Sequence, residues 1–411
     1  MVLLALLGGL SAAPVAAAAG DNTWRAVGSL PEKLDRPVLA LAADPADPQV
    51  LLAGTPTGNL YRTADGGQTW RPVARHLGQE VLAIAFRPGQ SDLAVAGTRG
   101  GGVWLSTDAG ATWRSAPVTS GRTVRAFGFG PSLIAAGTDR GVLTSEDGSG
   151  WSTAGLDQVD VSTLAVTGGG ATPQLVAGGD AGRAGDALPL YATRDGGRNW
   201  TGVSATVSAS NMVSALAAAS PGGSSPRLLL GTNGGLFSSG DGGAHWSAVD
   251  ADAGFPPVDV TGIGLGEPSG GRYYVASDGG GSESGGLWVT RDGGKHFSSL
   301  KAPMSSVTAL GVRQGTAPTL FAATFRPGDH AVMLWSYRDA GGSPQGPAGG
   351  VAGPGQHGGG GAAQHAATPN RVVSVVTLMT GPEGPFLVVS AIALLVLFGA
   401  FGFWVRNRRA L

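Results

Sequence analysis

The chain has 411 residues, no cysteine, a net charge of −1 and only 13% charged residues. The lack of cysteine excludes disulfide bonds and thiolate chemistry, and without a block of basic residues nothing favours nucleic acid as a partner. The 72 glycines are typical of a chain with many turns, and therefore favour an all-β protein.

The N-terminus predicts a signal peptide over residues 1–18. Residues 2–10 are almost wholly apolar, and Ala16–Ala18 supplies the small-x-small pattern that signal peptidase prefers. The first basic residue is Arg25, so the usual cationic start of a signal peptide is missing. We expect the segment that follows to be exported.

A phrase of the form Ser/Thr-x-Asp-x-Gly-x-x-Trp, here called the box, recurs six times with small variations. Its Asp and aromatic positions are Asp65 and Trp70, Asp108 and Trp113, Asp147 and Trp151 (one residue shorter), Asp195 and Trp200, Asp241 and Trp246, and Asp292 and Phe297. Recurrence every 40 to 50 residues, roughly, indicates an array of one supersecondary unit.

Each unit predicts four short strands. In one copy these are the alternating run 81–86, the apolar run 93–96, the strand before the box and the strand after its Trp. Four antiparallel strands per repeat, arranged radially, make a β-propeller. We expect the box residues to be structural, since the Asp can accept turn N–H groups and the Trp can pack between sheets.

A seventh unit is incomplete. Segments 307–312, 319–323 and 334–339 match its first three strands, and Asp339 stands at the Asp position of a box that has no Trp. The missing strand is predicted at the other end of the chain, where Trp24 begins a box-like tail that runs to Val27. Closure by this strand would remove two open sheet edges. The sequence therefore predicts one seven-bladed propeller over residues 21–342.

The C-terminal part predicts a membrane anchor. Residues 343–385 form a Gly/Pro-rich tether and juxtamembrane segment, in which the apolar run 371–380 has no assigned role. Residues 386–405 are twenty uncharged, mostly apolar residues, enough for one transmembrane helix. Three arginines within 406–411 predict a cytoplasmic tail. We thus expect a single-pass protein of the cell membrane, with its propeller extracytoplasmic.

The box resembles the Asp-box, or BNR repeat, of sialidases, sortilin-type receptors, xyloglucan-cleaving glycosidases and the photosystem II assembly and stability factor. The segment from Gly97 to Trp113 is most similar to the assembly-factor type. The resemblance implies the propeller fold, whereas these families differ in chemistry. The Phe/Tyr-Arg-Ile-Pro segment that a sialidase would carry is absent.

Ligands of propellers usually bind at the channel mouth, on loops that join successive blades and on loops between second and third strands. The charged residues expected there are Glu80, Arg99, Arg122, Asp139, Arg140, Asp160, Asp180, Asp259, Asp278 and Arg326. One carboxylate per box is too few for calcium, and the histidines show no zinc-ligand grouping. We expect neither a metal nor another cofactor.

Three functions remain open on the sequence. The favoured hypothesis is a non-enzymatic scaffold, a monomeric ring that binds a protein or a glycan at the channel mouth. A cell-surface glycoside hydrolase, sialidase-like or glucan-cleaving, would need two carboxylates across the scissile bond, drawn from Asp139, Asp180, Asp259 and Asp278. A membrane-protein assembly factor is the third, by analogy with the photosystem family.

Overall fold

The computed structural model describes residues 21–167, 173–180, 188–203, 210, 212–220, 226–249, 251–280 and 284–342. These residues form seven antiparallel sheets of four strands each. The arrangement follows from the sequence pattern, because each repeat has four short apolar runs separated by glycine-containing turns. The fold is an all-β, seven-bladed propeller, as predicted.

The blades follow one another in chain order. Strand β1 (Arg25–Ala26) precedes blade 1, which contains β2 (Ala40–Ala43), β3 (Leu51–Gly54), β4 (Leu60–Thr63) and β5 (Arg71–Ala74). Blade 2 contains β6 (Val81–Arg87), β7 (Gln90–Thr98), β8 (Gly102–Ser106) and β9 (Arg114–Ser115). Blade 3 contains β10 (Val124–Gly130), β11 (Leu133–Thr138), β12 (Gly141–Ser145) and β13 (Ser152–Thr153).

The second half of the ring repeats this order. Blade 4 contains β14 (Val161–Val166), β15 (Leu175–Gly179), β16 (Leu190–Thr193) and β17 (Thr201–Gly202). Blade 5 contains β18 (Val213–Ala219), β19 (Arg227–Thr232), β20 (Gly235–Ser239) and β21 (Ser247–Val249). Blade 6 contains β22 (Gly262–Leu265), β23 (Tyr273–Ser277), β24 (Gly286–Thr290) and β25 (Phe297–Ser299). Blade 7 contains β26 (Val307–Arg313), β27 (Thr319–Arg326) and β28 (Ala331–Arg338), with β1 as its fourth strand. In the described connections between blades, short 3-10 turns are formed by Pro117–Thr119 and Ala251–Ala253.

The N-terminal strand closes the ring, as predicted. In β1, Arg25 pairs with Ser336 of β28, and the N–H of Val27 donates to the Leu334 carbonyl at 2.9 Å. The Trp24 ring is fully buried, lies 4.9 Å from the Tyr337 ring between centroids, and donates its Nε1–H to the Leu300 carbonyl of the preceding blade. One residue from the far end of the propeller therefore ties blade 7 to blade 6.

The core lies between blades. The first strands of successive blades contact each other all round the ring, from β2 to β26 and back to β2. Tyr273 and Tyr274 alternate along β23, so one packs toward blade 5 and the other toward blade 7, and both are fully buried. This alternation of burial on both faces is what a blade between two neighbours requires.

Several expectations fall outside the described residues: the signal peptide 1–18, the tether and juxtamembrane segment 343–385, the transmembrane helix 386–405 and the tail 406–411. They stay predictions. Among the residues that the structure describes, no helix is long and apolar enough to cross a membrane.

Candidate functional site

The two faces of the ring carry different loops because of the strand order. Turns between third and fourth strands, which carry the boxes, lie on one face, here called the turn face. Loops that join successive blades, together with loops between second and third strands, lie on the opposite face, here called the mouth face. Candidate ligand residues were predicted on the mouth face.

The box carboxylates are occupied by their own turns. In blade 2, Asp108 Oδ1 accepts the hydroxyl of Ser106 at 2.7 Å and the N–H of Thr112 at 2.8 Å, while Oδ2 accepts the Thr112 hydroxyl at 2.6 Å. The corresponding carboxylates form the same kind of turn bonds: Asp65, Asp147, Asp195, Asp241 and Asp292. Hydrogen bonds from the backbone and side-chain amides of Asn199 lower the pKa of Asp195 to about 2. Such carboxylates stabilise turns and have little capacity left for a ligand.

The box aromatics occupy the spaces between blades. Four of the tryptophans donate Nε1–H to a backbone carbonyl: Trp24, Trp113, Trp151 and Trp200. Trp70 and Trp246 have a buried Nε1 without an acceptor in the described residues, so the expectation of a polar partner does not hold for them. Phe297 packs against Phe255 and Tyr273 with no polar group to satisfy.

Asp339, the Asp of the incomplete seventh box, has a different role. Its side chain is fully buried and accepts a bond from Arg291 at 2.7 Å and one from the Tyr274 hydroxyl at 2.8 Å. Both partners belong to blade 6, as does Arg272, whose Nη1 lies 3.9 Å from Oδ2. Asp339 is thus an ion-paired link between blades 6 and 7.

On the mouth face, Glu80 lies between two arginines. Arg36, in the loop that enters blade 1, contacts Glu80 Oε1 at 2.5 Å, and Arg99 of blade 2 contacts Oε2 at 2.7 Å. The Glu80 side chain is 13% exposed, whereas those of Arg36 and Arg99 are 53% and 45% exposed. The carboxylate is therefore enclosed, and both guanidinium groups face solvent.

A second group follows on blade 3. Arg122 donates through Nη1 to the Arg140 carbonyl at 2.9 Å, and Asp139 accepts the N–H of Thr123 at 3.0 Å. The Arg140 side chain is 57% exposed and its Nε lies 3.8 Å from the Asp139 carboxylate. These bonds join the loop that enters blade 3 to the loop after its second strand.

Asp160 has a partner that sequence reasoning missed. Arg125 on β10 binds it through two parallel bonds of 2.9 Å, from Nε to Oδ1 and from Nη2 to Oδ2. The hydrogen bonds with Asp160 raise the pKa of Arg125 above its usual value. Arg125 lies where the register of β10 against β11 shifts between Val124 and Ala126, and such a bulge turns a side chain out of the ladder.

The same position carries a hydroxyl in four other blades. Each hydroxyl donates to the carbonyl of a valine in, or two residues before, the first strand of the next blade: Ser162 to Val213, Ser214 to Val260, Thr261 to Val307 and Thr308 to Val38. In blades 1 to 3 the position is Leu39, Leu82 and Arg125. From blade 1 to blade 4, mouth-face loops are instead joined by charged side chains.

We name these the charged arc: Arg36, Glu80, Arg99, Arg122, Arg125, Asp139, Arg140 and Asp160. Six of its members were predicted from the sequence, whereas Arg36 and Arg125 were not. Its five arginines and three carboxylates leave an excess of two positive charges. The arc brings together residues of six different connecting loops and one strand.

Asp259 and Asp278 are also brought together, on blade 6. Asp259 accepts the Ser277 hydroxyl and the N–H of Gly280 at 3.0 Å each, and Asp278 accepts the same N–H at 2.9 Å. Burial and a hydrogen bond with the Asp259 carboxyl raise the pKa of Asp278 to about 6. This is the behaviour of two carboxyl groups that share a proton.

The remaining predicted residues join neither group. Asp180 forms a backbone bridge with Met212 in the next connection. Arg326 binds Asp329 of its own hairpin through two bonds of 2.7 and 2.6 Å. In the part of the chain that the structure describes, no group of three or more His, Asp or Glu side chains could hold a metal ion.

No protein-family model matches the sequence, and no curated protein matches it either. The structure is similar to the GH74 xyloglucanase from Xanthomonas campestris (TM-score 0.51, 16% identity), with 77% of this chain and 56% of that chain covered. It is similar to YCF48 bound to D1 peptide (TM-score 0.55, 17% identity; 78% and 98% covered) and to U3-55K (TM-score 0.56, 11% identity; 77% and 98% covered). The chain spans just over half the length of the xyloglucanase. At these identities the likeness shows the fold, and neighbours of the glycosidase and assembly-factor kinds are those that the box phrase indicated.

Proposed function

We propose that this chain is a binding scaffold whose mouth face holds an acidic segment of a partner protein. We also propose that the propeller is extracytoplasmic, exported by the segment 1–18 and anchored by the predicted span 386–405. The observation that carries the binding proposal is the charged arc, in which solvent-exposed arginines outnumber carboxylates.

The arc suits an exchangeable ligand. Exposed ion pairs contribute little to stability, about 0–1 kcal/mol each, so a ligand can rearrange them without opening the ring. A guanidinium that uses one edge for Glu80 still presents N–H groups to a second carboxylate. The ring remains fastened elsewhere by the hydroxyl links from blade 4 to blade 1.

Apolar side chains on the same face support a protein ligand. The large hydrophobic residues that are exposed in the described part of the chain are Leu39, Val118 and Met212. Each lies in or beside a loop that enters a blade, hence on the mouth face. Single exposed apolar residues are common, but their restriction to the face that also carries the exposed arginines, among the described residues, is typical of a binding surface.

The acid pair of blade 6 matches a glycosidase poorly. Catalytic carboxyl groups of retaining and inverting enzymes stand about 5–10 Å apart, to leave room for the sugar or for water. Asp259 and Asp278 both accept the N–H of Gly280, and a hydrogen bond between them contributes to the raised pKa of Asp278, so they lie closer together than such a catalytic pair. Burial together with this pairing accounts for the raised pKa of Asp278, and we propose that the pair stabilises its loop.

Site-specific photo-crosslinking of the full chain, in membranes of the cells that produce it, tests the proposal. A photoreactive residue replaces Val118 or Gln79 on the mouth face. The control positions are Ala111, on the turn face, and Ser115, on the fourth, outer strand of blade 2. We expect a protein adduct from the first two positions that is lost when Arg99→Glu is added.

Equal adducts from all four positions, or none from Val118 and Gln79, would contradict the proposal. A parallel assay of xyloglucan and sialoside hydrolysis covers the enzymatic alternative. Turnover that disappears in Asp278→Asn would replace the scaffold with a glycosidase.

A further inference from the structure

A second cationic site lies on the other side of the ring, between blades 7 and 1. It is a groove of about 510 Å³ near the turn face, here called the seam groove. Its blade 7 wall carries Arg25, Arg313 and Arg338, and its blade 1 wall carries Gln49 and Asp65. The volume is within the range of about 300–1,000 Å³ that ligand sites occupy.

Strand register explains why three arginines share one wall. Arg313 of β26 stands opposite Thr319, and Thr319 stands opposite Arg338 of β28. Opposite residues of neighbouring strands project from the same face of a sheet. Arg25, which pairs with Ser336, joins that face because Ser336 is two residues from Arg338. Three positive charges thus face blade 1.

Two of these arginines, Arg313 and Arg338, have little compensating charge among the described residues that line the groove. Arg338 forms an ion pair with Asp21, outside the groove lining. The oxygens of Asp65 accept bonds from Thr63 and Thr69 within the box turn, which leaves them little capacity for an arginine. Arg313 is half-buried, and its Nε–H is buried with no acceptor in the described residues.

A buried N–H without an acceptor costs about 1–3 kcal/mol. An anion that accepts the Nε–H of Arg313 would remove this cost. Guanidinium forks match the oxygens of phosphate, which can take parallel bonds from more than one arginine. Phe321 and Val27 line the same groove and supply apolar surface for an organic group. The groove is larger than a phosphate group alone requires.

We propose that the seam groove binds a phosphate ester, with its phosphate on Arg25, Arg313 and Arg338 and its organic part against Phe321. The site is independent of the mouth face. The bound ligand contacts the closing strand β1 as well as blades 7 and 1. It therefore also stabilises the closed ring, as any ligand of the folded state does.

The test is isothermal titration of the purified full chain with pyrophosphate and with glycerol 3-phosphate. We expect binding that weakens at least tenfold in Arg313→Gln and in Arg338→Gln. Arg313→Lys, which keeps the charge and loses the fork, should fall between. Arg114→Gln, on the exposed outer strand of blade 2, is the matched control and should bind as the wild type does.

Circular dichroism establishes whether each variant is folded. If Arg313→Gln does not fold, the test relies on Arg338→Gln. Unchanged affinity in both variants, or no binding of either phosphate at millimolar concentration, overturns the proposal. Vesicles of phosphatidylglycerol, against phosphatidylcholine, identify the source. Arg313-dependent binding to the vesicles indicates a lipid headgroup, and binding of glycerol 3-phosphate without binding to the vesicles indicates a soluble ester.

Discussion

Replacement of Trp24 by alanine should open the propeller at its closing strand. The side chain is fully buried between blades 6 and 7, against Tyr337, and its Nε1–H satisfies the Leu300 carbonyl at 2.8 Å. Loss of a packed Trp side chain costs about 3–5 kcal/mol, and the Leu300 carbonyl, left without a hydrogen-bond donor, adds about 1 kcal/mol. We expect the free energy of unfolding to fall by about 4–6 kcal/mol.

That loss corresponds to a measurable shift in melting temperature. A propeller of roughly 320 residues unfolds with an entropy of about 0.7 kcal/mol/K, so Tm should fall by about 6–9 °C. Differential scanning calorimetry of Trp24→Ala, Trp24→Phe and Trp246→Ala provides the comparison. Trp24→Phe keeps an aromatic ring and loses the hydrogen bond and part of the packed volume, so its shift should be smaller, about 1–3 °C.

Trp246 is the matched control, because it holds the equivalent box position but is half-buried, and its Nε1 has no acceptor among the described residues. Its replacement should cost less than that of Trp24. If Trp24→Ala melts as the wild type does, or above Trp246→Ala, the N-terminal strand does not close the ring and the seven-blade account is wrong.

Three further outcomes follow from individual contacts. Asp339→Asn leaves Arg291 and Arg272 without a countercharge at a buried site and should lower the free energy of unfolding, measured in urea, by about 2–4 kcal/mol. The control Asp329→Asn, in an exposed pair, should change it by less than about 1 kcal/mol. Equal losses in the two variants would refute the buried link. Because the folded-state pKa of Asp278, about 6, exceeds its unfolded value, the folded chain binds more protons between about pH 4 and 6, and stability should fall as pH rises through this range. Asp278→Asn should remove this decline in Tm scans against pH, and a variant that keeps the wild-type slope would contradict the shared proton. Thr308→Val deletes the part-buried hydroxyl bond to Val38 and should cost about 1 kcal/mol by the same urea titration, against a smaller change for Thr201→Val, whose hydroxyl bond to Ala192 is exposed.

The ring and its closure were predictable because they depend on periodicity. The box repeats at nearly constant spacing, and the seventh unit lacks a strand that Trp24–Val27 resembles, so the N-terminal pairing with β28 followed from edge closure alone. These signals are local in sequence and need no knowledge of side-chain distances.

Side-chain contacts between blades were harder to predict from the sequence. Arg125 escaped notice because its neighbours in the chain suggest an ordinary strand, and the partner Asp160 lies 35 residues away. A signal was present, since the residue after the valine at the start of the blade is Ser162, Ser214, Thr261 and Thr308 in four successive repeats and Arg125 in another. The arginines of the seam groove come from both ends of the propeller, and only strand register unites them.

The binding role of the charged arc is tested most directly by fluorescence anisotropy of the full chain with a labelled hexaglutamate peptide. Two double variants of equal charge change are compared: Arg99→Glu with Arg140→Glu on the arc, and Arg71→Glu with Arg114→Glu on exposed outer strands. We predict that the arc variant binds at least tenfold more weakly than the wild type, while the outer-strand variant binds within about twofold. Equal weakening in both variants would mean that net charge alone attracts the peptide, and the mouth face would lose its place as the binding site.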